Sequence, residues 1–471
     1  MAAGRVSEAV PEPEPPFEGV GTATGGHYTG PRLTAWRLKQ LFEPFRSIGL
    51  RRSTTAAGIY VSVALGFLGT LIAARQLGPE DFGLLAVVVV ATGFFQSLLD
   101  LTAEEALVKY GFDYVAGESW GRLRRLFRQA LVVKAVGGIA AGLVLVALAP
   151  AADSIFGGND LLVPFLVAAW LPLLQSPEGV ASAALILRER YDVRAWLLAT
   201  SMGLRMTGLA VGSHFGVTEA VVGIVIAQVV ATGLLAMVAL MAFRRFPAAE
   251  PVPLDEDRRG ILRFVWHSSL ATGVVSLRGA LAPLLLGVVS KPVQVGFFRI
   301  AQASQQGLAA LSAPARLIML TEQTRDWARG ATAVVFAGVR RYTSWAAVLM
   351  ALIVPPVYIL MPWLVRVLYG TAYEGASDAA RLVLLGGALH FVFGWSKSLP
   401  VSVGRPGLRV LAHGIESIVM IPLVVILGRK WGATGAAGAV LASAAVFCAV
   451  WVVLLARMKH DSLSPSEAGA A

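Results

Sequence analysis

Charge is scarce in this chain. Only 15% of its 471 residues are Asp, Glu, Lys or Arg, while 56% are hydrophobic. Soluble domains run near 25% charged, so a water-soluble globule is excluded. Long apolar stretches recur along almost the whole chain, which excludes general disorder. Cysteine is nearly missing. Cys448 stands alone, so there is no intrachain disulfide and no cysteine metal cage. No histidine pair has metal-ligand spacing with a third ligand nearby, and neither a metal nor a cofactor is expected. The chain has no G-x-x-x-x-G-K-[ST] loop to cradle nucleotide phosphates and no G-x-S-x-G nucleophile elbow. ATP-driven pumping and serine-hydrolase chemistry therefore have no sequence support, and the expectation is a protein that is not an enzyme.

Acids are also in deficit: 29 Asp and Glu stand against 40 Lys and Arg, a net charge of +11. Such an excess suits either nucleic acid or basic cytoplasmic loops, and its distribution decides. A membrane helix needs roughly 20 mostly apolar residues. Twelve such stretches are predicted: 54–75, 82–101, 126–149, 161–187, 195–212 and 218–243, then 262–289, 294–317, 343–367, 378–399, 408–428 and 433–456. Most bases fall in every second connector. Examples are Arg122, Arg124, Arg125 and Arg128; Arg188, Arg190 and Arg194; Arg244, Arg245, Arg258 and Arg259; and Arg340 and Arg341. The intervening stretches 150–159 and 213–217 hold no Lys or Arg. This positive-inside pattern predicts a multi-pass protein of the cytoplasmic membrane with both termini in the cytoplasm, partnered by lipid and not by nucleic acid.

The fold class predicted is all-α integral membrane, about twelve helices in two parallel six-helix repeats. Residues 1–50 read as a cytoplasmic tail: a Pro-rich disordered part over 1–31, then 33–48. There Leu33, Trp36, Leu41, Phe45 and Ile48 recur at helical spacing among bases. That suits a helix lying on the anionic inner leaflet, or else an ordinary basic flank. The six-helix lobes are expected over 51–246 and 261–457, with a cytoplasmic linker at 247–260 and a tail at 458–471. The repeat rests on two matching segments. Thr54–Gly58 leads through an apolar span to Pro79-Glu80-Asp81-Phe82-Gly83, and His267–Ala271 leads at the same offset to Pro292-Val293-Gln294-Val295-Gly296. Each then continues into an apolar helix and a long basic connector, 102–125 or 316–342. Even-numbered halves start on the same side, so the repeat is parallel, and the substrate site of such transporters lies between the halves. Gly432, Gly435 and Gly438 read as a close-packing series.

The run Gly58–Leu71, with Ala73-Ala74-Arg75-Gln76-Leu77-Gly78-Pro79-Glu80-Asp81-Phe82-Gly83-Leu84, resembles the start of polysaccharide-repeat flippases. These belong to the multidrug/oligosaccharidyl-lipid/polysaccharide exporter superfamily. Leu99-Asp100-Leu101 to Ala106-Leu107-Val108-Lys109-Tyr110 resembles the segment after their second helix, and the hydropathy plan is similar over 50–457. The resemblance implies a V-shaped pair of lobes. It implies movement of undecaprenyl-pyrophosphate-linked sugar repeats to the outer leaflet, and glycan polymerase and assembly proteins as partners.

Charges inside spans are functional candidates by default, because each costs about 2.5–3.5 kcal/mol to insert. Arg278, Arg299, Arg205, Lys134 and Arg381 fall inside predicted spans. Arg278, mid-helix, either binds a pyrophosphate in bidentate fashion or pairs with Glu178 or Glu416. Arg299 opens a polar stripe with Gln302, Ser304, Gln305 and Gln306, suited to sugar contact or to interhelical bonding. Arg205 and Lys134 are further substrate-binding candidates, although Lys134 and Arg381 can instead snorkel. Glu178, beside Pro177, and Glu416, one turn from His413, are coupling-ion candidates; His390 is a possible relay partner. Two rival functions remain. A cation-coupled multidrug exporter fits the hydropathy plan, yet span 54–75 has no acid of the kind such exporters often use there. A non-transporting scaffold for glycan assembly would not need midmembrane arginines.

Overall fold

A computed structural model describes the backbone of residues 35–405 and 407–463. Side chains of 35–54, 255–256, 270–272, 274–278, 313–318, 321 and 459–463 lie outside the description. The tail expected at 1–31 lies outside it as well. So does the side-chain pattern of 33–48, where the backbone is helical from Ala35. The chain divides into Met1–Leu50 and Arg51–Ala471, and the second unit holds the helical bundle.

Among the described residues every regular element is a helix: α1 (Ala35–Leu99), α2 (Ala103–Ala116), α3 (Trp120–Leu148), α4 (Ala152–Phe156), α5 (Leu162–Ala168), α6 (Leu171–Leu187), α7 (Tyr191–Gly212), α8 (Val217–Phe243), α9 (Asp255–Val289), α10 (Pro292–Ala328), α11 (Thr332–Tyr369), α12 (Ser377–Val392), α13 (Leu399–Ser402) and α14 (Gly407–Leu463). This is the all-α integral membrane architecture the composition demands. Among the described residues five helical stretches are long and apolar enough to cross a bilayer: Thr55–Leu99, Trp120–Phe156, Val217–Phe243, Thr332–Tyr369 and Gly407–Met458. The first and last each hold two predicted spans and are broken by one glycine. Gly78 (φ 75°, ψ 175°) bends α1, and Gly432 (φ 56°, ψ −132°) bends α14. Positive φ is open to glycine without steric penalty. Pro79 then restarts the helix with its φ already set, and Glu80 and Asp81 favour the new N-terminus.

Several boundaries differ from the sequence reading. The stretch 161–187 is two helices, α5 and α6, and 378–399 ends as α-helix at Val392 before a 3-10 turn, Gly394–Lys397. A Cβ on Gly394 would stand 2.6 Å from the Tyr342 hydroxyl, and Pro400 lacks an amide donor to continue α12. The two basic connectors are largely helical, as α2 and as the ends of α10 and α11. In the glycine series, Gly432 makes a turn and Gly435 packs on the Leu427 carbonyl. A Cβ on Gly438 would meet open space.

The two Pro-x-x-x-Gly segments lie against each other. A Cβ on Gly83 would overlap the Pro292 carbonyl, and one on Gly296 would stand 2.9 Å from the Pro79 carbonyl. One hydrophobic core surrounds this contact and draws on both halves, including Phe82, Val87, Phe156, Leu286, Val295, Phe298 and Tyr373. At the other end the core divides. One cluster packs α2, α3, α6 and α8 with Leu254, Ile261 and Val265, and a separate one packs Val335, Trp395, Phe447 and Trp451. The first turns of α9 are thus bound to α2. Tyr114 donates to Asp257 Oδ2 at 2.8 Å, Ser269 Oγ accepts from the Thr102 amide at 2.9 Å, and Ser268 bonds Glu105. Burial and the Asp257 carboxylate hold the Tyr114 hydroxyl well above its ordinary pKa, so it stays a donor.

Bulk at the glycine contact is expected to force the joined turns apart, and overpacking of this kind costs about 1–3 kcal/mol. Gly83→Ala should lower the thermal unfolding midpoint of the detergent-solubilised protein. Gly93→Ala, where a Cβ meets nothing within 4 Å, should not.

Candidate functional site

In the second half, α10 turns Arg299, Gln302, Gln305 and Gln306 toward a cavity of about 270 Å³. Their spacing of three and four residues places them on one helical face. The opposite wall comes from α12 and the turn after it, through His390, Phe391 and Lys397, and Gly279 of α9 closes one side. Three of the predicted substrate-binding residues, Arg299, Gln302 and Gln305, therefore share one cavity. The Arg299 guanidinium donates to Gln302 Oε1 at 3.4 Å. Arg278 immediately precedes Gly279, and its side chain is outside the description.

Behind His390 lies a buried carboxylate. Glu416 is 1% exposed, and its two oxygens contact two histidines. His390 Nε2 lies 2.9 Å from Oε1, and His413 Nδ1 lies 3.0 Å from Oε2. Both imidazoles stack on Phe447, with ring centroids 5.0 and 4.9 Å away. His390 Nδ1 also stands 2.9 Å from the Gly386 carbonyl. The sequence sets His413 one turn from Glu416 and offers His390, on another helix, as a relay partner; both rings meet the one carboxylate.

Lys134, Arg205 and Glu178 stand in the first half, and Arg381 stands in the second, on α12. Lys134 does not snorkel. It is 4% exposed, with Nζ 2.6 Å from Asp100 and 2.8 Å from Glu104. Arg205 donates to Ser201 Oγ at 3.0 Å, and Ser201 lies 3.5 Å from Glu178. Glu178 also accepts from Gln228 Nε2 at 2.8 Å, and Gln228 in turn bonds Gln175 and Thr232. Glu178 thus reaches Arg205 through a serine. It lines a second cavity, about 580 Å³, together with Glu104, Glu105, Lys109 and Arg194. Arg381 is held by Asp378 at 3.0 Å and by the Tyr358 carbonyl at 3.0 Å.

Two features escaped the sequence reading. Lys397 falls inside the predicted span 378–399, so the intramembrane-charge rule would have found it. Gln228, fully buried in the apolar α8, was the signal for the Glu178 network. At the joined end, the halves are tied by long-range bonds. Arg75 donates to the Leu368 carbonyl at 2.6 Å and to that of Val367, and Tyr373 donates to the Ala74 carbonyl at 2.6 Å.

A bundle of this kind is also found in solved membrane transporters. A multidrug resistance MATE family transporter of the MOP superfamily, inward-facing, superposes with a TM-score of 0.65 at 14% identity, covering 84% of this chain and 95% of that one. The lipid II flippase MurJ, in an inward closed conformation, gives 0.69 at 13%, covering 87% and 90%. At such identities the likeness is one of fold. Residues 52–314 match the polysaccharide biosynthesis protein family, and the chain belongs to that family. It is also 25% identical over 367 residues to the inner membrane protein YghQ of Escherichia coli (strain K12), covering 74% of this chain and 99% of that protein.

Lys134 is the buried hinge of the first-half ion cluster, and Lys134→Met leaves two carboxylates facing each other. Removing one partner of a buried pair costs about 3–5 kcal/mol. The lower end is expected here because both carboxylates are about one-third exposed. Chemical denaturation should show that loss, and the further change Glu104→Gln should restore part of it.

Proposed function

We propose that this protein moves a polyprenyl-pyrophosphate-linked oligosaccharide across the cytoplasmic membrane for cell-surface polysaccharide synthesis. The observation that carries this reading is the cavity between α10 and α12. It combines a guanidinium, a glutamine stripe, an imidazole and an ammonium group. Arginine and lysine suit phosphate oxygens, and glutamines suit sugar hydroxyls. A multivalent anion cannot pass hydrocarbon unshielded, so a translocator must supply such neutralisation. Membership of the polysaccharide biosynthesis family supports the substrate class, and the multi-pass bundle supports an inner-membrane location.

The mechanism is alternating access between six-helix lobes over 51–246 and 261–457. The headgroup enters from the cytoplasmic side, where the core is divided, while the prenyl tail stays in lipid. Arg299, joined by Arg278, shields the pyrophosphate, and Gln302 and Gln305 hold the sugar. Opening outward requires release of the Arg75 and Tyr373 bonds. Both termini then lie in the cytoplasm, and glycan polymerase and assembly proteins receive the product.

One observation favours a second reading. The cavity lined by Glu104, Glu105 and Glu178 sets three carboxylates against Lys109 and Arg194, and that acidic excess suits a cation-coupled drug exporter.

Cells depleted of the protein should accumulate a complete lipid-linked repeat, measured by mass spectrometry of polyprenyl-pyrophosphate sugars. Arg299→Ala should fail to relieve it. An unchanged lipid pool with new sensitivity to cationic dyes would overturn the reading in favour of the exporter. The outer seal has its own assay, because the chain's single cysteine is buried. In a Cys448→Ala, Gln302→Cys background, Arg75→Ala should increase labelling by an impermeant maleimide added outside the cell.

A further inference from the structure

The contact between His390 and Glu416 carries a proton count. His390 Nδ1 lies 2.9 Å from the Gly386 carbonyl, which can only accept, so Nδ1 carries a hydrogen. The other ring nitrogen, Nε2, lies 2.9 Å from Glu416 Oε1. With a neutral imidazole and an ionised carboxylate, two lone pairs would face each other at that distance. The bond exists only if one more proton is present, on Nε2 or on Oε1. His413 does not supply it, since its Nδ1 hydrogen is directed to the other oxygen, Oε2, at 3.0 Å.

We propose that His390 and Glu416 together form a proton-binding site, and that its occupancy sets the affinity of the adjoining cavity for a pyrophosphate anion. The inference rests on the reading of that cavity as the headgroup site. His390 belongs to both places: Nε2 faces the buried carboxylate, and the ring lines the cavity with Arg299, Gln302 and Gln305. Loss of the proton to bulk water turns an attraction into a repulsion and drives the ring from its seat. No covalent step is involved; one proton is taken up from or returned to water. Among the described residues, His413 and Cys448 on α14 face the carboxylate, and Lys397 in the turn after α12 and Arg299 on α10 line the cavity with His390. An anion in the cavity favours the proton, and by linkage the proton favours the anion to the same degree.

Glu416→Gln separates the contributions. The amide donates to His390 Nε2 and accepts from His413, so the geometry survives with no shared proton. The experiment is calorimetric titration of farnesyl pyrophosphate into the full-length protein in lipid nanodiscs over a pH series. The ratio of wild-type to Glu416→Gln affinity cancels the titration of the probe itself. That ratio is expected to fall by up to tenfold per pH unit as the site loses its proton. His390→Gln, which also lacks the shared proton, should follow Glu416→Gln. Parallel pH dependence in wild type and both variants, with binding intact, would overturn the proton site and leave the headgroup cavity standing. Absence of probe binding to the wild type would overturn the cavity reading and the inference with it.

Discussion

Two glycines set against two prolyl carbonyls hold the molecule together at its joined end. Gly83 and Gly296 each stand four residues after the proline that starts their helix, and each lets the other helix's first turn approach to backbone contact. Side chains there would keep the turns apart, and the core residues around them, Phe82, Val295 and Phe298, would lose their mutual contacts. The divided core at the opposite end follows from the same constraint. Once the halves are pinned at one place, apolar packing is shared near the pin and separate away from it.

The joint also explains a motif that the sequence presents twice. Read along the chain, Pro-x-x-x-Gly is a helix-start signal followed by a small residue, and its recurrence suggests a repeat. Only in three dimensions do the two copies become each other's partner. The helical content, the break at Pro79 between spans 54–75 and 82–101 and the polar stripe from Arg299 were all legible, because each depends on local chemistry or helical period. The seat of Lys134 was not. Its two carboxylates come from the end of span 82–101 and from α2, and nothing in the spacing says that the α3 side chain turns inward to them. The same holds for His390 and Glu416, which belong to helices whose relative rotation no sequence pattern fixes.

The halves share a plan and differ in chemistry. The first keeps its polar groups in a carboxylate-rich network around Glu178 and Lys134, with amides as bridges. The second exposes a guanidinium and amides to a cavity and keeps its carboxylate behind histidines. The two halves thus carry different interiors: ion pairs and amide bridges in the first, a basic cavity in the second. Buried polar clusters of this kind are costly unless each member is satisfied, and most members here have a partner on another helix.

The tie between Arg75 and α11 uses main-chain acceptors. The carbonyls of Val367 and Leu368 are there whatever side chains stand at those positions. Random substitution can therefore remove the bond from one side only. Over long divergence the burden of keeping this seal falls on a single codon, while exposed Val367 is free to drift and Leu368 answers only to the core it packs against.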